Sequence, residues 1–364
     1  MKAQVEKVDR VRIGIIGAGR IADLNILGYL DHPKCDLIAV CDISEELAKR
    51  RQEEWGAKKY YTDYEKLVAD PDINAVEILL PHRLHLPAVL AAAKAGKHIS
   101  LQKPMCVNLW EGRKMIEAAR QAGVWFRVTE NFFFYPAYRR QKQWLDAGEI
   151  GEPLSVNIRL CGAAGGWAVP IKTWLWRLDF DECGGTPTVY DDGYHKLSLA
   201  KMFLGEIEYV KSWIDFTFGV VDTPALVSWK YKNGATGTWE VTTAPNLIAN
   251  EKYYGADEWV EITGAKGVIT ASRCTSRLME IPPLVIYKNG EHIAIDDIRD
   301  DWADSFHDAG WNFIDCLLEG RQPDLAGEDA LYIMKFWKAI WQSHIENREV
   351  FIDDIKVAES KEDA

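Results

Sequence analysis

Two stretches of this chain combine residue types and spacings that can do chemistry. The first is Gly17-Ala18-Gly19-Arg20-Ile21-Ala22, a GxGxxA loop, with an acid, Asp42, further along. Gly17 permits a tight turn, Gly19 lets the backbone approach a pyrophosphate, and Ala22 lets the next helix sit close to its strand. The helix start at Arg20 and Ile21 supplies amide donors and the positive end of a dipole. Asp42 closes a second apolar run, where its carboxylate can accept from both hydroxyls of an adenosine ribose. It would repel a 2′-phosphate, and Ile43 and Ser44 bring no arginine to neutralise one, so NAD is expected rather than NADP. A glycine turn without a ligand is the competing reading. The second stretch is Gln102-Lys103-Pro104, where an apolar run from His98 ends in a lysine with a proline behind it. An edge lysine in a salt bridge would explain it, and so would a reactive lysine at the mouth of a crevice.

The elements around these residues decide what they can reach. "VRIGII" (Val11–Ile16), "DLIAVC" (Asp36–Cys41), "AVEILL" (Ala75–Leu80), "KHISLQ" and "VWFRVT" (Val124–Thr129) are apolar on both faces and alternate with helical patterns. That pattern predicts an α/β Rossmann domain, a doubly wound parallel sheet, over residues 1–130. Ser44 with Glu45 and Glu46 reads as the start of one of its helices. Beyond 130 the chain shows alternating segments separated by turns such as "KNGA" (Lys232–Ala235) and "KNGE" (Lys288–Glu291), followed by two helices. Residues 131–364 are therefore expected to form an α+β domain with a large, mainly antiparallel open sheet.

Bulk properties narrow the partners. A formal net charge of -12 over 364 residues argues against nucleic acid or an anionic membrane surface. No apolar run reaches the ~20 residues of a membrane helix. The seven cysteines, Cys274 among them, form no CxxC pair. Neither a metal site nor a disulfide framework is expected, and a reducing, cytoplasmic setting fits.

Three further stretches line up with one known family. "LPHRLHLPAVLAAAKAGKHISLQKP" (Leu80–Pro104), "PAYRRQKQWLDAGEIGEP" (Pro136–Pro153) and "WRLDFDECGGTPTVYDDGYH" (Trp176–His195) resemble the glucose–fructose oxidoreductase/inositol dehydrogenase/rhizopine-catabolism (Gfo/Idh/MocA) family, from about Arg12 to about Asn347. The resemblance implies that Lys103 sits beside the nicotinamide and the reacting carbon, and that Asp191 and His195 face the same pocket. Spaced i and i+4, those two would share one face of a helix. It also implies cofactor-side roles for Pro81, His82, His85, Gln102, Asn131 and Arg177. His85 could equally be a helix-start histidine bonded to a loop. Asp192 is the alternative to Asp191 if the helix is turned differently. Gln102 replaces the family's usual glutamate, Phe133 a frequent arginine, Ser198 a frequent aspartate, and His82 a frequent Asn or Thr.

The implied activity is NAD-dependent oxidation of a secondary ring hydroxyl, C3 by family analogy, of a neutral sugar, glycoside or cyclic polyol. His195 is expected as base, Lys103 as donor to the substrate oxygen, and Asp191 as the group orienting substrate or His195; the reverse split of Lys103 and His195 is nearly equivalent. Trp167, Trp174 and Trp176, with Phe132, Phe133, Phe134 and Tyr135, offer an aromatic wall for a sugar ring or aglycone, or else core between the domains. Two other outcomes share the same residues: a glycosidase working through transient C3 oxidation, and a non-catalytic NAD-binding regulator. Leu226, Val227, Trp229, Tyr231, Trp239 and Val241 provide more apolar surface than one sheet face needs, which predicts a homo-oligomer.

Overall fold

The computed structural model describes residues 5, 7–167, 171–217, 221–249, 251–273 and 281–360; Cys274 lies outside them. The first sheet contains β1 (Val11–Ile16), β2 (Cys35–Cys41), β3 (Lys59–Tyr61), β4 (Ala75–Ile78), β5 (His98–Gln102) and β6 (Phe126–Thr129). All its pairings are parallel, in the order β3-β2-β1-β4-β5-β6. Its helices are α1 (Ala22–Asn25), α2 (Leu27–Leu30), α3 (Glu45–Trp55), α4 (Tyr64–Val68), α5 (His85–Lys94) and α6 (Leu109–Ala122). Ser44 caps α3 by accepting from the Leu47 amide at 3.3 Å, as its sequence neighbours indicate. The short edge strand β3 has no strong apolar run and is not apparent from pattern alone.

The second sheet has nine strands: β7 (Pro153–Gly166), β8 (Ile207–Ile214), β9 (Ala225–Tyr231), β10 (Thr236–Ala249), β11 (Tyr254–Gly264), β12 (Gly267–Arg273), β13 (Leu284–Lys288), β14 (Glu291–Ile295) and β15 (Val350–Phe351). Among the described residues of this sheet, only the β7–β10 pair is parallel. Asn289 and Gly290 both take positive φ, 56° and 80°, and close the β13–β14 hairpin in the way that a right-twisted ribbon favours. Helices α7 (Pro136–Asp146), α8 (Phe180–Cys183), α9 (Gly193–Leu204), α10 (Trp302–Glu319) and α11 (Gly327–Glu346) complete the fold. α7 is fastened to the sheet by Gln141, whose amide donates to Val260 O at 2.8 Å. Ser212 on β8 donates to Ile340 O of α11 at 2.7 Å.

One expectation about this sheet is corrected. Val227, Trp229, Tyr231, Trp239 and Val241 are all buried on the helix-covered face, and of the six named residues only Leu226 points outward, at 42% exposure. The alternation of a pleated strand separates neighbours in sequence onto opposite faces, so their summed apolarity does not measure the outer surface.

The two sheets are not independent. α10 crosses back to α2, where Gly28 and Gly310 meet so closely that a Cβ on Gly28 would strike the His307 carbonyl. From β6, Arg127 donates to Ala309 O at 2.8 Å, with its guanidinium 4.5 Å from the Phe313 ring. The Val128 amide donates to Leu325 O at 3.0 Å.

Candidate active site

Strands of a parallel sheet present their C-terminal ends to a shared crevice. Here Gly17 follows β1, Asp42 follows β2, Lys103 follows β5 and Glu130 follows β6, while Pro81 opens the short turn His82–Leu84 just after β4.

The nucleotide side is built from backbone. Gly17 has φ 96°, and a Cβ there would collide with the Leu79 carbonyl; only glycine holds this turn without strain. A Cβ on Gly19 would meet nothing within 4 Å, so the loop is open at the point where a phosphate would approach. Asp42 accepts from Ala18 N–H at 3.0 Å and from Ser44 N–H at 2.9 Å, which fixes the carboxylate at the rim. Ile21 accepts the Asn25 amide at 3.2 Å, and Ala22, fully buried, packs the helix start against the sheet. Arg20 pairs with Asp23 at 2.9 Å, and its guanidinium lies 4.6 Å from the Trp167 ring, tying the loop to the second half of the chain. Gln102 uses its oxygen to accept Lys103 N–H at 2.9 Å, while its buried Nε2 has no partner among the described residues. A buried amide without a partner is costly. The open glycine, the oriented carboxylate and this orphaned donor fit a dinucleotide.

Two carboxylates organise the other groups of the crevice. Asp191 receives Lys103 Nζ at 3.0 Å, with the same ammonium on its carbonyl at 2.8 Å, and Arg177 Nε at 2.6 Å. His82 Nε2 stands 3.6 Å from the same carboxylate. Glu130, wholly buried, lies with Oε1 2.6 Å from His195 Nδ1 and accepts the Phe132 amide at 3.0 Å. The Phe132 ring stacks on the imidazole at 4.2 Å and 16°. Asp191 and His195 do not share a regular helical face. Residues Pro187–Asp192 form a π-helical turn before α9 begins, and the Asp191 amide reaches back to Thr186 O at 3.1 Å. Such widened turns recur at functional sites. This one lets Asp191 face Lys103 while His195 faces Glu130, so the orienting partner of His195 is Glu130 rather than Asp191.

Burial and neighbours set the protonation states. For Asp191, burial raises the carboxyl, but Lys103 and Arg177 outweigh it and hold it well below the usual carboxylate range. For Glu130, burial dominates and pushes the carboxyl up to about 8, against weaker pulls from the Phe132 amide, Lys103 and Lys196. Burial also drives His195 well below its ordinary value, helped by Lys103 and Lys196. Lys196 is itself buried, paired with Asp192 at 2.8 Å and Glu258 at 3.0 Å, and Arg273 pairs with Glu258 at 2.6 Å.

Several expected contacts fall elsewhere. Both ring nitrogens of the buried His85 face main-chain carbonyls, Met105 at 3.1 Å and Leu80 at 2.8 Å, so it braces the loops instead of reaching the crevice. Asn131 donates to Ser305 Oγ of α10 at 2.8 Å. His82 is buried under Asp191, with Nδ1 2.7 Å from Cys183 O, and burial lowers it to about 3. Arg177 engages Asp191 and stacks on its neighbour Trp176, whose ring meets His82 edge-on at 4.7 Å. Trp174 stays on the turn before them, with its amide on Ile171 O at 2.9 Å. Of the four aromatics at 132–135, only Phe132 reaches His195: Phe133 lies beside Lys201, Met202 and Pro323, and Tyr135 donates to Asp300 O at 3.0 Å. Asp192 stays on Lys196. Sequence reading passed over Glu130; its available signal is a carboxylate one residue beyond a parallel strand, the position that Lys103 also occupies.

Residues 11–130 match the oxidoreductase family with NAD-binding Rossmann fold, GFO/IDH/MocA, and residues 138–270 match the GFO/IDH/MocA C-terminal domain. The chain belongs to this family. It is an NAD-dependent dehydrogenase acting on CH–OH groups. It is similar to the myo-inositol 2-dehydrogenase of Thermotoga maritima, with 26% identity over 356 residues, 95% of this chain and 99% of that one. The scyllo-inositol 2-dehydrogenase (NAD(+)) of Bacillus subtilis is 28% identical over 335 residues, 88% and 90% of the two chains. Among solved structures, a probable dehydrogenase from Thermotoga maritima matches with TM-score 0.79 at 25% identity, covering 95% of this chain and all of that one, 100%. Levoglucosan dehydrogenase in complex with NADH and levoglucosan shares the fold at TM-score 0.81 and 21% identity, over 94% and 99% of the chains. Among the described residues, no helix is long and apolar enough to cross a membrane.

Proposed function

We propose that the protein oxidises a secondary ring hydroxyl of a neutral sugar, glycoside or cyclic polyol, at C3 where the ring is a pyranose. The observation that carries this reading is the convergence of Lys103, Asp191 and His195 at the C-terminal edge of the parallel sheet, in a wall whose cations are all engaged by carboxylates. Lys103 and Arg177 face Asp191, while Lys196 and Arg273 face Asp192 and Glu258. Each of these four cations is thus held by a carboxylate, which leaves none free for a sugar acid. The names of the relatives, inositol dehydrogenases and a levoglucosan dehydrogenase, support a ring hydroxyl.

In this reading residues 1–130 hold the dinucleotide, and residues 131–364 together with Lys103 supply the substrate groups. Gly17, Gly19, Arg20, Ile21 and Ala22 receive the pyrophosphate, Asp42 the ribose, and Pro81 and Gln102 the nicotinamide end. The bound dinucleotide supplies the hydride acceptor. His195 takes the hydroxyl proton, Lys103 donates to the substrate oxygen as its charge changes, and Asp191 holds Lys103 and Arg177 in place. Trp167, against Arg20, and Trp176, against His82, are assigned to the wall around the substrate. The outer face of the second sheet carries Trp213, Leu226 and Tyr287, exposed by 52%, 42% and 50%, and we assign it to self-association in a homo-oligomer.

The test is a substrate panel followed by absorbance of reduced nicotinamide: an aryl glucoside, glucose, myo-inositol and glucuronate. Neutral rings are expected to exceed glucuronate by about tenfold or more in kcat/KM, ~1.4 kcal/mol of transition-state preference. Preference for glucuronate would overturn the charge reading. Net hydrolysis of the aryl glucoside without net NADH would replace oxidation by the glycosidase outcome.

A further inference from the structure

We infer that Glu130 is the proton store of the reaction: His195 takes the substrate proton on Nε2 and passes its Nδ1 proton to Glu130 Oε1, leaving a neutral carboxylic acid. This rests on the dehydrogenase reading above and adds a destination for the proton, with Glu130 as a positioning residue that acts through His195.

Three observations carry it. The Glu130 Oε1 to His195 Nδ1 distance is 2.6 Å, short enough for one proton to be held between them. Both groups are buried, Glu130 at 1% and His195 at 5% exposure, so the charge of either ion is poorly solvated. Glu130 Oε2 is buried and has no hydrogen-bond partner among the described residues. A carboxylate with one bare oxygen in a dry site is costly, whereas the neutral acid can leave its carbonyl oxygen bare at much smaller cost. Desolvation thus favours a neutral acid beside a neutral imidazole over an ion pair. Burial accordingly raises the Glu130 carboxyl to about 8 and lowers His195.

The groups facing the pair come from every element around it. Lys103 approaches from the end of β5, Asp191 and Asp192 from the π turn, Tyr194 and Lys196 from α9, and Arg273 from β12. Lys103, Lys196 and Arg273 favour the ionised carboxylate and disfavour imidazolium. Each is already engaged by an anion, Asp191 for Lys103 and Glu258 for the other two, so burial remains the larger influence on both members. The step balances. The substrate C–H bond breaks with its electron pair leaving as hydride to oxidised nicotinamide, and the O–H bond breaks with its proton going to His195 Nε2. The Nδ1–H bond then breaks as Glu130 O–H forms. In sum, in the enzyme form that carries an ionised Glu130, alcohol, NAD+ and carboxylate become ketone, NADH and carboxylic acid, so the rate is expected to rise as pH passes about 8. In a serine-protease triad the aspartate does not become protonated; a desolvated glutamate with a bare oxygen differs in this respect.

The experiment is infrared difference spectroscopy of the full-length protein between acid and alkaline pH, with no substrate needed. Wild type is expected to show a buried carboxylic acid C=O band that disappears as pH rises through about 8, and Glu130→Gln is expected to lack it. In the same variant kcat for oxidation should fall ~10²–10⁴-fold with KM little changed, and the alkaline rise of the pH–rate profile should vanish. A purely structural role would move KM and the melting temperature but not that profile. If Glu130→Gln does not fold, Glu130→Asp keeps an acid and should retain a band shifted in its titration. Identical infrared differences in wild type and the variants, or a Glu130→Gln enzyme with normal turnover and an unchanged profile, would overturn the inference. A wild type inactive on every neutral ring would overturn the substrate reading instead, and the band would still decide where the proton sits.

Discussion

The two buried carboxylates of the site, Asp191 and Glu130, differ in everything except their type. Asp191 sits between an ammonium and a guanidinium at 3.0 and 2.6 Å, and stays ionised far below neutral pH. Glu130 meets an imidazole and a single backbone amide, and burial holds its proton up to about 8. One carboxylate is a fixed charge that positions cations, while the other titrates in the working range. Environment rather than residue type divides the labour.

That contrast can be broken most severely at the fixed charge. Asp191→Asn leaves Lys103 and Arg177 without their counter-ion, and the loss should be about 3–5 kcal/mol in urea unfolding, with turnover down as well. A variant of unchanged stability would mean that the two cations relax into solvent. Replacing Lys103 comes next. Lys103→Ala should cut turnover ~10²–10⁴-fold while NAD binding, measured by titration calorimetry, stays close to wild type; near-normal turnover would return Lys103 to a structural salt bridge.

The titrating partner gives a pH signature of opposite character. The folded Glu130 carboxyl is raised above its unfolded value, so the native state holds a proton that the unfolded chain releases. Its stabilising contribution is complete only at acid pH and is lost as pH rises through about 8. Melting temperature should therefore fall for wild type between about pH 6.5 and about pH 8.5, and fall less for Glu130→Gln. Parallel curves would show that Glu130 titrates normally. Phe132→Leu offers a finer test. Losing the stacked ring should cost ~1 kcal/mol and admit water to the pair, which moves the alkaline limb of the rate profile toward lower pH. The smallest effect belongs to the nucleotide rim. Asp42→Ala frees the Ala18 and Ser44 amides and should narrow the preference for NAD over NADP by ~tenfold, ~1.4 kcal/mol, in paired dissociation constants; tighter NADP binding by the wild type would remove Asp42 from that role.

The parts of this site that sequence reveals are those with a local cause. Gly17 and Gly19 follow from one strand–turn–helix, and Asp42 and Lys103 each from the end of one apolar run. The two sheets follow from periodicity for the same reason. Glu130 and His195 are 65 residues apart, and nothing in the neighbourhood of either announces the other. The π turn is equally silent, because an i, i+4 spacing looks the same whether or not the turn between is widened. The tryptophans mislead for a third reason. Trp167, Trp174 and Trp176 are close in sequence, yet only the fold sends Trp167 to Arg20 and Trp176 to His82.

The return of α10 to α2 bears on how the molecule unfolds. With Gly28 against Gly310, Arg127 donating into α10, and the Val128 amide on Leu325, the nucleotide half borrows part of its own core from the last sixty or so residues of the chain. Residues 1–130 made alone would expose the α2 face and strand a buried guanidinium, and so would not be an autonomous folding unit. Calorimetry should then record a single cooperative transition rather than two. Protease cuts before α10 should release nucleotide and substrate groups together. Synthesis on the ribosome would also leave the glycine loop immature until α10 emerges, so cofactor capture would wait on the second half of the chain.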